Sequence, residues 1–248
     1  MRWRLCLAVM ALWLAGSCHA AEVRVAVAAN FSAAMQKIAL AFEAETSHKA
    51  VLAFGASGAL YAQIKNGAPF HVFLSADHQA PTRLQSEGLA VARSQFTYAV
   101  GRLVLWSRQP GLVDAQGEVL RTGTFDKIAV ANPKIAPYGA AAMEAMARQG
   151  VLEQLRPRFV QGDSIAQTYQ FVATGNAQLG FVALSQVMND GRMGPGSAWI
   201  VPATLHTPLQ QDAVLLMAGQ DNPAAHALLQ FLQGAKAASI LRTFGYER

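Results

Sequence analysis

The sequence predicts an α/β protein of two lobes, each built on a doubly wound, mostly parallel sheet, with two crossing strands between them. Three observations lead there. Short apolar runs alternate with amphipathic stretches, the pattern of strands covered on both faces by helices. The alternation comes in two series, one over residues 23–88 and one restarting at Ile128. Two long extended stretches, Phe96–Ser107 and Leu209–Ala218, separate and rejoin the series. These crossings put a first lobe at 21–102 and 207–248 and a second at 103–206.

Residues 1–20 precede the fold. Arg2 and Arg4 make a basic start, Leu5–Ala15 an apolar run, and Cys18-His19-Ala20 a small-x-small cleavage site. This is the layout of a secretory signal peptide, its apolar run shorter than the roughly 20 residues of a membrane span. The expectation is a periplasmic protein cut after Ala20. Leu14-Ala15-Gly16-Ser17-Cys18 also resembles a bacterial lipoprotein signal that would lipidate Cys18, although its large apolar residue stands one place early. Cleavage removes Cys6 and Cys18, the only 2 cysteines. Disulfides, thiol catalysis and thiolate-bound metals are thereby excluded. Losing Arg2 and Arg4 takes the basic count from 20 to 18 against 15 acidic residues, a net charge of +3. So mild an excess, with no Lys/Arg run, argues against a nucleic-acid surface.

The first element is a buried strand, Val23–Ala29, that runs straight into a helix whose Phe31, Met35, Ile38 and Phe42 form one apolar stripe. Asn30 and Ser32 stand at the corner, residue types that favour helix N-caps. A helix start with outward N–H groups is a ready anion site. The corner recurs three times. Val51–Phe54 passes through Gly55-Ala56-Ser57-Gly58 into a helix, and Lys127–Ala131 passes through Asn132-Pro133 and Pro137-Tyr138-Gly139 into a helix over Ala140–Arg148. Phe159-Val160 passes through Gly162-Asp163-Ser164 into Ile165–Ala173. Four such corners predict convergent N–H donors.

The other elements fill in the lobes. Pro69–Leu74 reads as a third strand, followed by a cap at Ser75-Ala76-Asp77 and a helix over Gln79–Ser86. Gln109–Phe125 and Asn189–Ser197 read as loops, Gln178–Leu184 and Trp199–Val201 as strands. Asn222-Pro223 starts a helix to Gln233, and a last helix ends near Phe244-Gly245. Ligands of open α/β sheets bind at strand ends and helix starts, which points to a cleft between the lobes.

The residues Ala28-Ala29-Asn30-Phe31-Ser32, Phe54–Gly58, Ser75–Asp77, Asn132-Pro133 through Gly139, Gly180–Val182 and Leu241–Gly245 resemble those of the periplasmic molybdate-binding proteins of ATP-binding-cassette uptake systems. The resemblance spans the whole mature chain. It implies a type II binding-protein fold that holds a tetrahedral oxyanion, molybdate or tungstate, between its lobes with no cofactor. It implies a monomer, not an enzyme, that delivers the ion to a permease of the inner membrane. Carried over residue by residue, it implies ligand contacts at Ala29, at Asn30 through backbone and side chain, and at Ser57, Tyr138 and the Ile165 N–H. Some family members bind through a tyrosine where this chain has Ala183, so here the hydroxyl is expected from Tyr138. His71 stands where many relatives carry Asp.

Neutral donors suit such a ligand. Stripping a dianion of water costs tens of kcal/mol in the Born limit, and charge-assisted hydrogen bonds return about 1.5–3 kcal/mol each. A rigid shell selects by size, disfavouring sulfate, and disfavours phosphate if no acceptor meets its proton. Asp77 or Asp163 in the cleft would remove that last discrimination. Two alternatives stand beside this reading: a binder of another oxyanion such as sulfate, and an exported hydrolase using Ser57. Gly55-Ala56-Ser57-Gly58 nears a nucleophile elbow but has its first glycine misplaced and no evident His partner. His48, His71, His78, His206 and His226 show no metal-site spacing.

Overall fold

The computed structural model describes residues 20–123 and 125–247. The expected leader, through His19 and with both cysteines, lies outside the described residues. The first series gives β1 (Glu22–Ala28), α1 (Ser32–Thr46), β2 (Lys49–Gly55), α2 (Ser57–Lys65), β3 (Val72–Leu74), α3 (Gln79–Ser86) and β4 (Phe96–Gly101). The second opens with β5 (Leu103–Ser107), α4 (Val119–Thr122), β6 (Ile128–Ala131), α5 (Pro137–Arg148), α6 (Leu152–Leu155), β7 (Phe159–Gly162) and α7 (Ile165–Ala173). It continues through β8 (Leu179–Ala183), α8 (Leu184–Val187), β9 (Met188–Asn189), β10 (Arg192–Met193) and β11 (Ser197–Ile200). The chain then returns as β12 (Leu209–Leu215), α9 (Pro223–Gln233) and α10 (Ala235–Thr243).

These strands form two five-stranded sheets, ordered β2-β1-β3-β12-β4 and β11-β5-β8-β6-β7. In the first, β1 is parallel to β2 and β3 while β12 is antiparallel to both β3 and β4. In the second, β6 is parallel to β7 and β8 while β5 is antiparallel to both β8 and β11. Each sheet thus has one strand running against the other four. That strand is the first after a crossing: β4 ends in one sheet and β5 opens the other across Arg102, and β12 is the strand on which the chain returns.

Each sheet is buried on both faces. The α1 stripe of Phe31, Met35, Ile38 and Phe42 packs with Val23, Val25 and Val27 and with Leu228 and Leu232 of α9. Leu60 and Ile64 of α2 cover the opposite face with Leu84 of α3. In the second sheet Leu105, Ile128 and Phe181 pack on Ala142 and Met146 of α5, and Val104, Ala129 and Val182 pack with Val172 of α7.

Several expectations shift in detail. The third strand is Val72–Leu74 rather than Pro69–Leu74, because Phe70 N–H turns back to Ala68 O at 2.8 Å. Helix α5 starts at Pro137, whose fixed φ suits a first helical position. The loop over 189–197 holds the small β9–β10 hairpin, turned through Asp190 and Gly191, both at positive φ. Helix α1 carries no side-chain cap, because a 3₁₀ turn over Ala29–Phe31 precedes it and the Asn30 side chain is engaged elsewhere.

Candidate functional site

The four corners meet. Ala28 at the end of β1 pairs with Gly55 at the end of β2, so the first two corners emerge side by side. Ala131 of β6 pairs likewise with Gly162 of β7, which aligns the other two. Between the pairs lies a cavity of about 10 Å³, room for the centre of one water-sized sphere. Its walls come from every corner: Ala28–Asn30 from the first, Gly55–Ser57 from the second, Ala136–Tyr138 from the third and Ile165 from the fourth, with Ala76 completing it. Ala29, Asn30, Ser57, Tyr138 and Ile165, the five residues the sequence singled out, are all in this wall, and each is no more than 4% exposed.

The wall carries no Lys, Arg, His or carboxylate. Its polar atoms are hydroxyls and main-chain groups at the starts of α2, α5 and α7 and of the turn before α1, where the first N–H groups have no partner within the helix. Ser57 Oγ accepts from Ala76 N–H at 2.9 Å, which fixes its rotamer and leaves its own proton to donate. Tyr138 Oη accepts from Gln211 Nε2 at 3.1 Å and likewise keeps its proton. Burial above all, and then repulsion from Tyr246, pushes the Tyr138 hydroxyl well above the ordinary tyrosine range, so it stays neutral. Ile165 opens α7 behind the Ser164 cap, and its carbonyl accepts from Gln186 Nε2.

Asn30 is held differently. Its Nδ2 donates to Gln211 Oε1 at 2.9 Å and to Tyr246 Oη at 3.0 Å. Its carbonyl accepts from Ser185 Oγ at 2.8 Å and from Tyr246 Oη at 2.9 Å. Tyr98 Oη closes the network, its one proton within reach of both Gln211 Oε1 at 3.0 Å and Ser75 O at 3.1 Å. The side-chain nitrogen expected to reach the ligand is therefore engaged inside the protein, and the Asn30 main-chain N–H is the donor left at the corner. Gln211, Tyr246, Ser185 and Tyr98 were not singled out by the sequence. Gly101 belongs with them, since a Cβ there would fall 2.1 Å from Tyr138 Oη and 2.4 Å from Gln211 Nε2.

The two aspartates stand outside the cavity wall. Asp77 Oδ1 accepts from Ala80 N–H at 2.8 Å at the start of α3, and burial raises its carboxyl above the usual range. Asp163 is exposed, and Ser164 rather than Asp163 caps α7. Asp77 lines a wider neighbouring groove of about 420 Å³ with His78, Arg83, Lys134 and Glu144. His71 lies away from the cavity, beside Arg24 N–H and Asn222 Nδ2. Ala183 is absent from the wall and ends β8, directly before α8. As for the hydrolase alternative, the partner of Ser57 Oγ is a main-chain N–H rather than an imidazole.

Two mixed sheets that meet around a small, neutral, donor-lined cavity define a solute-binding protein. The chain matches the bacterial extracellular solute-binding proteins over residues 23–247 and belongs to that family. It is 55% identical over 243 residues to the molybdate-binding protein ModA of Azotobacter vinelandii, covering 98% of this chain and 96% of the relative. It is 51% identical over 237 residues to ModA of Rhodobacter capsulatus, covering 96% and 92%. The solved structure of an Azotobacter vinelandii periplasmic molybdate-binding protein superposes with a TM-score of 0.89 at 41% identity, covering 91% of this chain and 99% of that one.

Proposed function

We propose that this chain captures molybdate, and tungstate with it, in the four-corner cavity and delivers it to an ATP-binding-cassette permease of the inner membrane. The observation that carries this reading is the cavity wall: four helix starts and two free hydroxyl protons converge on a space without a charged group. The donors assigned to the ion are Ser57 Oγ, Tyr138 Oη and main-chain N–H groups at Ala29, Asn30 and Ile165. These five donors return about 1.5–3 kcal/mol each, and the helix starts add to them, against the cost of stripping the ion of water. The neutral wall offers no acceptor carboxylate for the proton of hydrogen phosphate, which supports discrimination against it. Sulfate, a smaller tetrahedron than molybdate, is expected to reach fewer of these donors at once.

The two sheets and the two crossings support a hinge between a lobe of 21–102 plus 207–248 and a lobe of 103–206, closing on the ion from both sides. The chain works in this reading as a periplasmic monomer released by cleavage after Ala20. The test is thermal unfolding of the mature chain with each oxyanion. Molybdate at a thousandfold over Kd adds about 4 kcal/mol, a rise in Tm of roughly 8–16 °C for a chain of this size. An equal rise with sulfate, or none with molybdate, refutes the assignment.

A further inference from the structure

Gly58 is the second residue of α2, directly after Ser57 in the cavity wall. Ile135 precedes Ala136, another wall residue, in the loop between β6 and α5. Here the two sides of the cavity touch main chain to main chain, with Gly58 N–H donating to Ile135 O at 2.9 Å. A Cβ on Gly58 would lie 2.9 Å from Ile135 Cα and 3.1 Å from both Ile135 Cβ and Ile135 O. Backbone atoms cannot rotate out of the way, so a methyl group there must push the two sides apart.

Nothing local asks for glycine at this place. Gly58 is not among the positive-φ residues, and it sits inside a helix, where alanine is ordinarily the better former. What the glycine permits is the close approach across the cavity lip.

We propose that Gly58 is an affinity-determining residue that never touches the ion: its missing side chain lets the α2 start and the Ile135 loop close until both walls reach the ligand together. This rests on the oxyanion-binding reading above. Restoring an ordinary 3.4 Å contact from 2.9 Å opens the lip by half an ångström. Hydrogen bonds to oxygen span only about 2.7–3.2 Å, so an opening of that size removes donors on one wall from a ligand held by the other. The defect belongs to the closed state, and it shows as faster release rather than slower capture.

The experiment compares wild type with Gly58→Ala in calorimetric titration, in stopped-flow association and dissociation with molybdate, and in thermal unfolding without ligand. The expected result is a Kd raised at least about tenfold and carried by the dissociation rate, with a ligand-free Tm unchanged or slightly higher. Wild-type affinity in Gly58→Ala overturns the inference. So does a ligand-free Tm lowered by more than about 4 °C, which would mean that the fold itself needs the glycine. A wild-type chain that binds no oxyanion overturns the functional reading along with this one, whereas a binding wild type with an unaffected variant overturns this one alone.

Discussion

Replacing Ser57 by alanine separates what its hydroxyl gives the ligand from what it gives the fold. The hydroxyl accepts from the buried Ala76 N–H at 2.9 Å, and in the proposed function it donates its own proton to the ion. Losing a hydrogen bond to a charged group costs about 1.5–3 kcal/mol, which is roughly 10- to 150-fold in Kd. Leaving Ala76 N–H without an acceptor costs about 1–3 kcal/mol of stability, and each kcal/mol moves Tm by about 2–4 °C at this size. Calorimetric titration with molybdate reads the first cost, and thermal unfolding without ligand reads the second. Both are expected in Ser57→Ala. A Kd within twofold of wild type, with the Tm loss present, would refute the reasoning, because the hydroxyl would then be a structural acceptor only.

Three further perturbations probe the rest of the network. Tyr138→Phe removes the proposed donor to the ion and the acceptor of Gln211 Nε2; titration is expected to show about tenfold weaker molybdate binding, and ligand-free Tm a loss of a few degrees. Asn30→Asp removes both Nδ2 donors, sets a carboxylate oxygen against Gln211 Oε1 and adds a charge beside the dianion. It is expected to cost about 3 kcal/mol in urea unfolding and to abolish measurable binding. Tyr98, Tyr138 and Tyr246 are buried with their hydroxyls raised above the ordinary value of 10, chiefly by burial. A folded-state value above the unfolded one gives stability that is complete below the unfolded value and lost as pH climbs toward the folded one. Tm is therefore expected to hold from about pH 7 to 9 and to fall above about 10, with a shallower fall in Tyr98→Phe.

The corners were legible in the sequence because they are local. A buried strand ending in a small polar turn and an amphipathic helix is one continuous stretch, and the four starts at Ala29, Ser57, Pro137 and Ile165 fall within three residues of their expected places. The network behind the cavity was not legible. Gln211 reaches Asn30 across 181 positions, and Tyr246 reaches it across 216. Ser185 reaches it across 155. Each comes from an element far along the chain, and nothing local shows which buried polar group it will meet. One signal was present: Gln211 and Asp212 interrupt the apolar run of β12, and a buried polar residue in a strand needs a partner. The same network explains why Asn30, an N-cap type by sequence, caps nothing. Its carboxamide nitrogen donates to Gln211 Oε1 and Tyr246 Oη, and these tertiary bonds override the local preference.

The most direct test of the account is a crystal structure of the mature chain grown with molybdate, with the metal located by anomalous scattering at the molybdenum edge. The account predicts one molybdenum peak between the four corners, with the ion's oxygens within hydrogen-bond reach of Ser57 Oγ and Tyr138 Oη. A peak in the neighbouring groove beside Arg83 and Lys134, with the four-corner cavity unoccupied, would contradict it.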